Sequence, residues 1–285
     1  MTAEPKHLPA GLYFVATPIG AARDITLRAL DILAAADVLV AEDTRSLRHL
    51  MEIHGVSTGQ RRILAYHDHN GPQMRPRLLQ ALADGKSVAY ASEAGTPLVA
   101  DPGFQLAKAA SEAGYRVTAA PGASAVLAAL TVSGLPTDKF LFAGFPPAAK
   151  GARTAWLTEL RDIPATLVLF ESPKRVARLL AEAVEILGRD RQVTLCRELT
   201  KRFEEVRRGT LADLASSLSD APVKGEVVLV IDRGRARPGA EELEGALQTA
   251  LREMTVKDAA ASVADALGLP RRQVYQAALR LREPG

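Results

Sequence analysis

The chain has 285 residues, 47% of them apolar and 24% charged, with one cysteine and a formal net charge of +3 at pH 7. That length suits one large domain or two ordinary ones, and the composition is that of a globular protein. It excludes a disulfide-stapled fold, because Cys196 has no second cysteine to pair with. A charge this small does not by itself call for a polyanionic partner.

Met1–Ala10 carries two prolines and no apolar block, which is unlike a secretion signal. No stretch approaches the ~18 continuous apolar residues that cross a bilayer. The expected location is the cytoplasm, with no membrane partner.

In the first half, short β-rich runs alternate with helical patterns. Leu12–Ala16, Val38–Ala41, Ile63–Tyr66, Val88–Ala91 and Val117–Ala120 read as strands, each apolar on both faces as in a buried parallel sheet. Between them, Leu27, Leu30 and Ala34 share one helical face, and Leu78, Leu79 and Leu82 form a second apolar stripe. Such alternation predicts an α/β fold.

The chain pauses at Gly134–Asp138, and the run Phe140–Pro147 reads as the crossing into a second domain. Beyond it, Thr166–Phe170, Gln192–Cys196 and Val227–Ile231 are predicted strands, and Glu204–Thr210 an exposed edge strand. Helices near Ala152–Arg161 and Arg175–Leu187 make this domain α/β as well, with a mixed sheet. Arg233–Ala240 reads as a linker. Helical patterns near Glu241–Glu253, Val256–Leu267 and Arg271–Leu281 then suggest a small appendage of helix-turn-helix type. The expected domains are 11–135, 136–233 and 241–285.

Two nucleotide signatures are missing. No Gly-x-Gly-x-x-Gly follows the first strand. Gly85-Lys86-Ser87 leads into a strand rather than a helix, so it is not a phosphate loop. The sequence instead places Gly- and Pro-containing loops directly after strands, at Thr17–Gly20, Ser92–Gly103 and Pro121–Ala125. In α/β sheets ligands bind outside the carboxyl ends of strands, and three such loops at one edge predict a binding rim. His67-Asp68-His69-Asn70 places alternating polar groups on one face. No further ligand cluster accompanies it, so no metal is expected, and these residues are assigned to an RNA-facing surface.

Seven motifs occur in order: Val15–Gly20, Ala41–Arg45, Ser92–Gly103, Pro121–Ala125, Glu171–Arg175, Arg197–Lys201 and Lys224–Val227. Together they resemble the tetrapyrrole methylase superfamily, and within it the branch that modifies small-subunit ribosomal RNA. The likeness runs from about Gly11 to Asp232, with a weaker match in the C-terminal helices. Three positions depart from that pattern: Ala21-Ala22 stands for Asn-Leu, Glu93 for Asp, and Ala100 for Ser.

The resemblance implies two α/β domains of tetrapyrrole methylase type with the cofactor cleft between them, plus a small helical C-terminal appendage. It implies a homodimer that uses S-adenosyl-L-methionine to methylate the 2′-hydroxyl of a cytidine in 16S rRNA of the small ribosomal subunit. Carried over by position, the cofactor residues are Pro18, Glu93, Ala94, Gly95, Leu98, Ser124, Ala125, Phe170, Leu199 and Gly225. The ribose hydroxyl is a weak nucleophile, so a general base is expected among carboxylates that follow strands. Asp43 is favoured, with Glu42 and Glu171 as alternatives and Glu93 also a possibility. Asp43 and Arg45 could equally pair to hold their loop. Arg45, Lys174, Arg175, Arg271 and Arg272 are the expected RNA-binding residues. Two other readings stay open. One is a methyltransferase of the same superfamily acting on a tetrapyrrole or a protein; the other is a non-catalytic RNA-binding protein of ribosome assembly.

Overall fold

In a computed structural model, which describes residues 8–67, 69–218, 223–234, 240–267, 269 and 271–282, the predicted strands of the first half form one parallel sheet. These are β1 (Gly11–Val15), β2 (Val38–Ala41), β3 (Ile63–Ala65), β4 (Ser87–Ala91) and β5 (Val117–Ala120), in the order β3-β2-β4-β1-β5. Alternate residues point to opposite faces, and both faces are covered. Tyr13, Val15, Leu39 and Ala89 pack beneath α1 (Leu27–Ala35) and α2 (Thr44–Ile53). Leu12, Phe14, Val40 and Tyr90 pack beneath α3 (Gly71–Ala83) and α4 (Phe104–Glu112). This double burial is why the strands read as continuous apolar runs.

Two expectations are corrected. Leu27 is 80% exposed, and α1 buries Ala29, Ile32 and Leu33 instead, with Ala36 just beyond its end. Two residues apart on a helix lie about 200° apart, so the Ala29 stripe that meets the sheet leaves Leu27 on the far side. β5 is half exposed rather than buried on both faces, because it is an edge strand.

The second sheet comprises β6 (Phe140–Gly144), β7 (Thr166–Glu171), β8 (Gln192–Arg197), β9 (Glu205–Thr210) and β10 (Val227–Ile231), in the order β6-β7-β10-β8-β9. It is mixed as expected, with β6 and β7 parallel and the other pairs antiparallel. The segment read as a crossing is itself the edge strand β6. One face packs Leu167, Leu169, Leu195, Leu229 and Ile231 against α6 (Lys150–Leu160), α7 (Val176–Leu187) and α8 (Leu211–Ser217). A capping box between Thr210 and Asp213 starts α8.

The other face is covered by a helix of the preceding unit. On α5 (Ala125–Ser133), Val126, Ala129 and Leu130 join Val168, Cys196, Val228 and Val230 in one apolar cluster. The Thr194 hydroxyl donates to the Ser133 carbonyl at 3.0 Å, and Arg208 donates to the carbonyls of Val132 and Ser133. The expected boundary at residue 135 therefore follows the chain, whereas α5 packs as part of both units.

Three further helices, α9 (Ala240–Ala250), α10 (Val256–Leu267) and α11 (Arg271–Arg282), enclose their own core of Leu247, Val256, Ala260, Val263, Val274 and Ala278. Most of the expected linker, residues 235–239, lies outside the described residues.

Candidate active site

A cavity of about 440 Å³ lies where the carboxyl edge of the first sheet faces the second. Its volume falls in the range of about 300–1,000 Å³ that small-molecule sites occupy, and its place is the one that parallel α/β sheets favour. The first unit contributes Ile19 after β1, Glu42 after β2, Glu93, Ala94 and Val99–Asp101 after β4, and Ala125 at the start of α5. Phe145, Phe170, Cys196, Leu199 and Glu226–Val228 close the other side.

The first-sheet wall is a set of interlocked loops. Thr17 and Gly95 exchange backbone hydrogen bonds at 2.9 and 3.0 Å. The Ser92 hydroxyl donates to the Gly95 carbonyl at 2.5 Å, and the Thr96 hydroxyl to the Ala123 carbonyl at 3.0 Å. Gly95 holds φ +80° with its missing Cβ position 3.3 Å from the Ile19 methyl. Only glycine adopts that conformation freely, and Gly95 itself is buried in the loop and does not line the cavity. Leu98 (φ +71°) and Ala100 (φ +57°) are also left-handed, which costs roughly 1–3 kcal/mol each for residues with a Cβ.

The second-sheet wall follows from register. Phe170 and Cys196 both pair with Val228, so the three form one row across β7, β10 and β8. Phe145 and Phe142 meet the Phe170 ring edge-on, with centroids 5.6 and 4.8 Å away. Burial pushes the Cys196 thiol up to about 11, so it serves as an inert apolar wall.

The two walls meet in a tight contact. The Ala21 amide donates to the Thr200 hydroxyl at 3.0 Å. A Cβ on Gly20 would stand 2.5 Å from the Lys201 side chain and 3.0 Å from the Leu199 carbonyl. Lys201 in turn bridges Glu198 at 3.0 Å and Glu226 at 2.9 Å.

Three glutamates open onto the cavity: Glu42, Glu93 and Glu226. Partial burial holds Glu93 above the ordinary carboxylate range, with the charges of Glu42, Asp43 and Glu226 adding to the shift. Asp43, the favoured base, is instead the N-cap of α2. Its Oδ1 accepts from the amides of Arg45 at 2.7 Å and Ser46 at 3.3 Å. Those bonds keep its carboxyl below the usual aspartate range, and it lies outside the cavity wall.

Glu171 is 3% exposed and accepts from the Ser172 amide at 2.6 Å and from Arg175 at 2.8 and 3.0 Å. Arg175 also donates to the Pro146 carbonyl at 2.7 Å. This pair fastens the loop behind Phe145, so neither residue stands ready as a base or as an RNA contact.

Of the other expected residues, Ala94, Ala125, Phe170 and Leu199 line the cavity. Leu98 and Ser124 line a neighbouring apolar groove instead. Pro18 is half-buried and lines neither of them. Gly225 holds φ +87° against the Glu198 side chain, shaping the turn that presents Glu226. Arg45, Lys174 and Arg272 are exposed, with Arg45 also pairing with Asp43 at 3.5 Å as the alternative reading of that loop expected, and Arg271 is paired with Asp265 at 3.0 Å.

In the His67–Asn70 stretch, Asp68 lies outside the described residues. Asn70 accepts from the His67 amide at 2.9 Å and donates to the Ala65 carbonyl at 3.0 Å, closing the turn after β3. Among the described residues no group of three potential metal ligands comes together.

Sequence reasoning missed Arg153. Its side chain is almost fully buried, forms a two-pronged pair with Glu182 at 2.6 and 2.7 Å, and donates to the carbonyls of Pro147 and Ala148. The signal was an arginine in register with Leu157 and Leu160 on the inward face of α6.

Residues 11–215 match the model of the tetrapyrrole (corrin/porphyrin) methylases, and residues 237–282 that of the RsmI C-terminal HTH domain. The chain belongs to the tetrapyrrole methylase family, and within it to the ribosomal RNA small subunit methyltransferase I proteins. It is 47% identical over 283 residues to the ribosomal RNA small subunit methyltransferase I of Mesorhizobium japonicum, covering 98% of this chain and 94% of that one. It is 41% identical to that of Vibrio cholerae, over 95% and 96% of the two chains. The fold matches uroporphyrin-III-C-methyltransferase from Thermus thermophilus at a TM-score of 0.55 and 21% identity, over 78% of this chain and 94% of that one.

Members of this family use S-adenosylmethionine as the methyl donor. The cavity fits that molecule. An aromatic and aliphatic wall suits a purine ring, and the glutamates suit a cationic centre.

Proposed function

We propose that the protein transfers a methyl group from S-adenosyl-L-methionine to the 2′-hydroxyl of a cytidine ribose in the 16S rRNA of the small ribosomal subunit. The cavity between the two sheets carries this reading, because it joins a cofactor-sized apolar pocket to a rim of carboxylates. The names of the relatives support a small-subunit RNA substrate, and the C-terminal helix-turn-helix match supports contact with nucleic acid.

The cofactor, when bound, supplies a sulfonium-activated methyl group. The chain's own part is to exclude water, align the ribose hydroxyl and accept its proton. Glu93 is the proton acceptor in this reading, since it opens onto the cavity and partial desolvation, with the neighbouring carboxylates adding, raises its basicity. Exposed Arg45 and Lys174 steer phosphates toward the cleft, and Arg272 with the other exposed residues of α11 adds RNA contact. The working unit is a cytoplasmic homodimer. An uncharged groove lined by Phe14, Leu98, Leu127 and Phe140 at the edge strands β5 and β6 supports self-association.

The test is the pH dependence of methyl transfer to isolated small subunits. Wild-type kcat/KM should fall as pH drops through a value above the ordinary carboxylate range, because only the ionised Glu93 accepts a proton. Glu93→Gln should lose that limb and turn over ~10²–10⁴-fold more slowly at saturating cofactor. No transfer by the wild type would overturn the reading, and an unchanged Glu93→Gln profile would overturn the choice of base.

A further inference from the structure

The turn from Glu198 to Glu204 joins β8 to β9 and begins at the cavity, where Leu199 is part of the wall. It is firmly built. The Thr200 amide donates to the Glu204 carboxylate at 2.6 Å, the Lys201 amide to the Glu198 carbonyl at 3.0 Å, and the Glu204 amide to the Lys201 carbonyl at 3.1 Å. Lys201 is tied to Glu198 and Glu226, and Thr200 receives the Ala21 amide from the opposite wall. Glu198 (φ +51°) and Thr200 (φ +63°) are both left-handed, a conformation that persists only where its surroundings enforce it.

The side chain that this turn presents at its far end is a phenyl ring. Phe203 is 63% exposed, and the Arg202 guanidinium lies 5.5 Å from its ring centroid. With a cation over one face and most of the residue still exposed, the ring offers its other face to solvent. Folding gains little from a phenylalanine placed this way. Phe145, also exposed, is different, because it packs edge-on against Phe170 within the cavity wall.

Resting on the proposed RNA substrate, we infer that Phe203 is a stacking platform for an unpaired nucleobase beside the methylated cytidine, with Arg202 placed to meet the flanking phosphate. A ribose reaches an enclosed methyl donor only if its nucleotide leaves the helical stack, which costs a few kcal/mol. Single-stranded RNA is held by aromatic rings and arginine planes on which splayed bases stack. A rigid turn that starts at the cavity wall and ends in an arginine-backed ring supplies that contact without any base-specific hydrogen bond.

The experiment compares wild type, Phe203→Ala, Phe203→Leu and Phe203→Trp on small subunits, with cofactor Kd measured by calorimetry for each. Alanine and leucine should lower kcat/KM for the RNA substrate roughly ten- to a hundred-fold, and tryptophan should restore it, all at unchanged cofactor Kd. A single-stranded oligonucleotide carrying 2-aminopurine should lose fluorescence on binding the wild type and keep it on binding Phe203→Ala. An active wild type with an equally active Phe203→Ala overturns this inference alone. Leucine performing as well as tryptophan overturns it too, because the ring would then be a general apolar contact, as to a protein. A wild type that transfers no methyl group to RNA overturns the functional reading, and this inference with it.

Discussion

At the scale of single residues, carboxylates that look alike in sequence separate by what their oxygens accept. Glu42, Asp43, Glu93 and Glu171 all sit at or just after the ends of strands. The first and third open onto the cavity, whereas Asp43 caps a helix and Glu171 is consumed by Arg175 and a backbone amide. A cap of this kind needs an acceptor oxygen rather than a charge. Asp43→Asn should therefore keep turnover and lose only the charge-dependent part of the cap's stability, while Asp43→Ala should lower the Tm further. Because its carboxyl is depressed by the Arg45 and Ser46 amides, the charge-dependent part of the cap is complete above the ordinary aspartate range. It is lost as pH falls through the lowered value. Thermal melts across that acidic window check the sign, and a large loss of turnover in Asp43→Asn would return Asp43 to the reaction. The cap at Asp43 and the Glu171–Arg175 pair are local and were legible at spacings of two to four residues, but sequence could not show that Glu42 and Glu93 open onto a cavity completed by Phe170, Cys196 and Glu226 from distant segments.

At the scale of elements, the periodic signals were legible and the unions between elements were not. β2, β10 and α10 match their predicted bounds, because a run buried on both faces or a clean helical stripe is a local property. α5 is almost uniformly apolar, so no stripe reveals that it faces the second sheet. β6 was hidden by the Gly and Pro residues that surround it. The contact between the turn after β1 and the turn after β8 was equally invisible, since it joins positions some 179 residues apart. Gly20 is its critical member. Gly20→Ala pushes a methyl group against the Leu199 carbonyl and the Lys201 side chain, which should destabilise the fold by about 1–3 kcal/mol and weaken cofactor binding by parting the walls. Calorimetric titration together with thermal unfolding would measure both effects. Wild-type values for both would mean that the contact does not set the cleft.

For the whole molecule, the two sheets are joined through the apolar cluster under α5, and the cofactor cavity opens beside it. The fastened Phe145 loop, the Gly20 contact and the rigid Phe203 turn all lie around that opening, and the C-terminal helices bring a separate core with Arg272 and Arg280 of α11 exposed. This layout suits a small cationic cofactor inside and a large substrate outside, as the proposed methylation of small-subunit RNA requires. The most direct test is the identity of the product. Small subunits lacking the modification should be incubated with the purified protein and isotopically labelled S-adenosyl-L-methionine, and their RNA digested and resolved by mass spectrometry. Label in 2′-O-methylcytidine from a single site in 16S rRNA is the predicted result; label on a base, on ribosomal protein or on no component of the subunit would contradict the account.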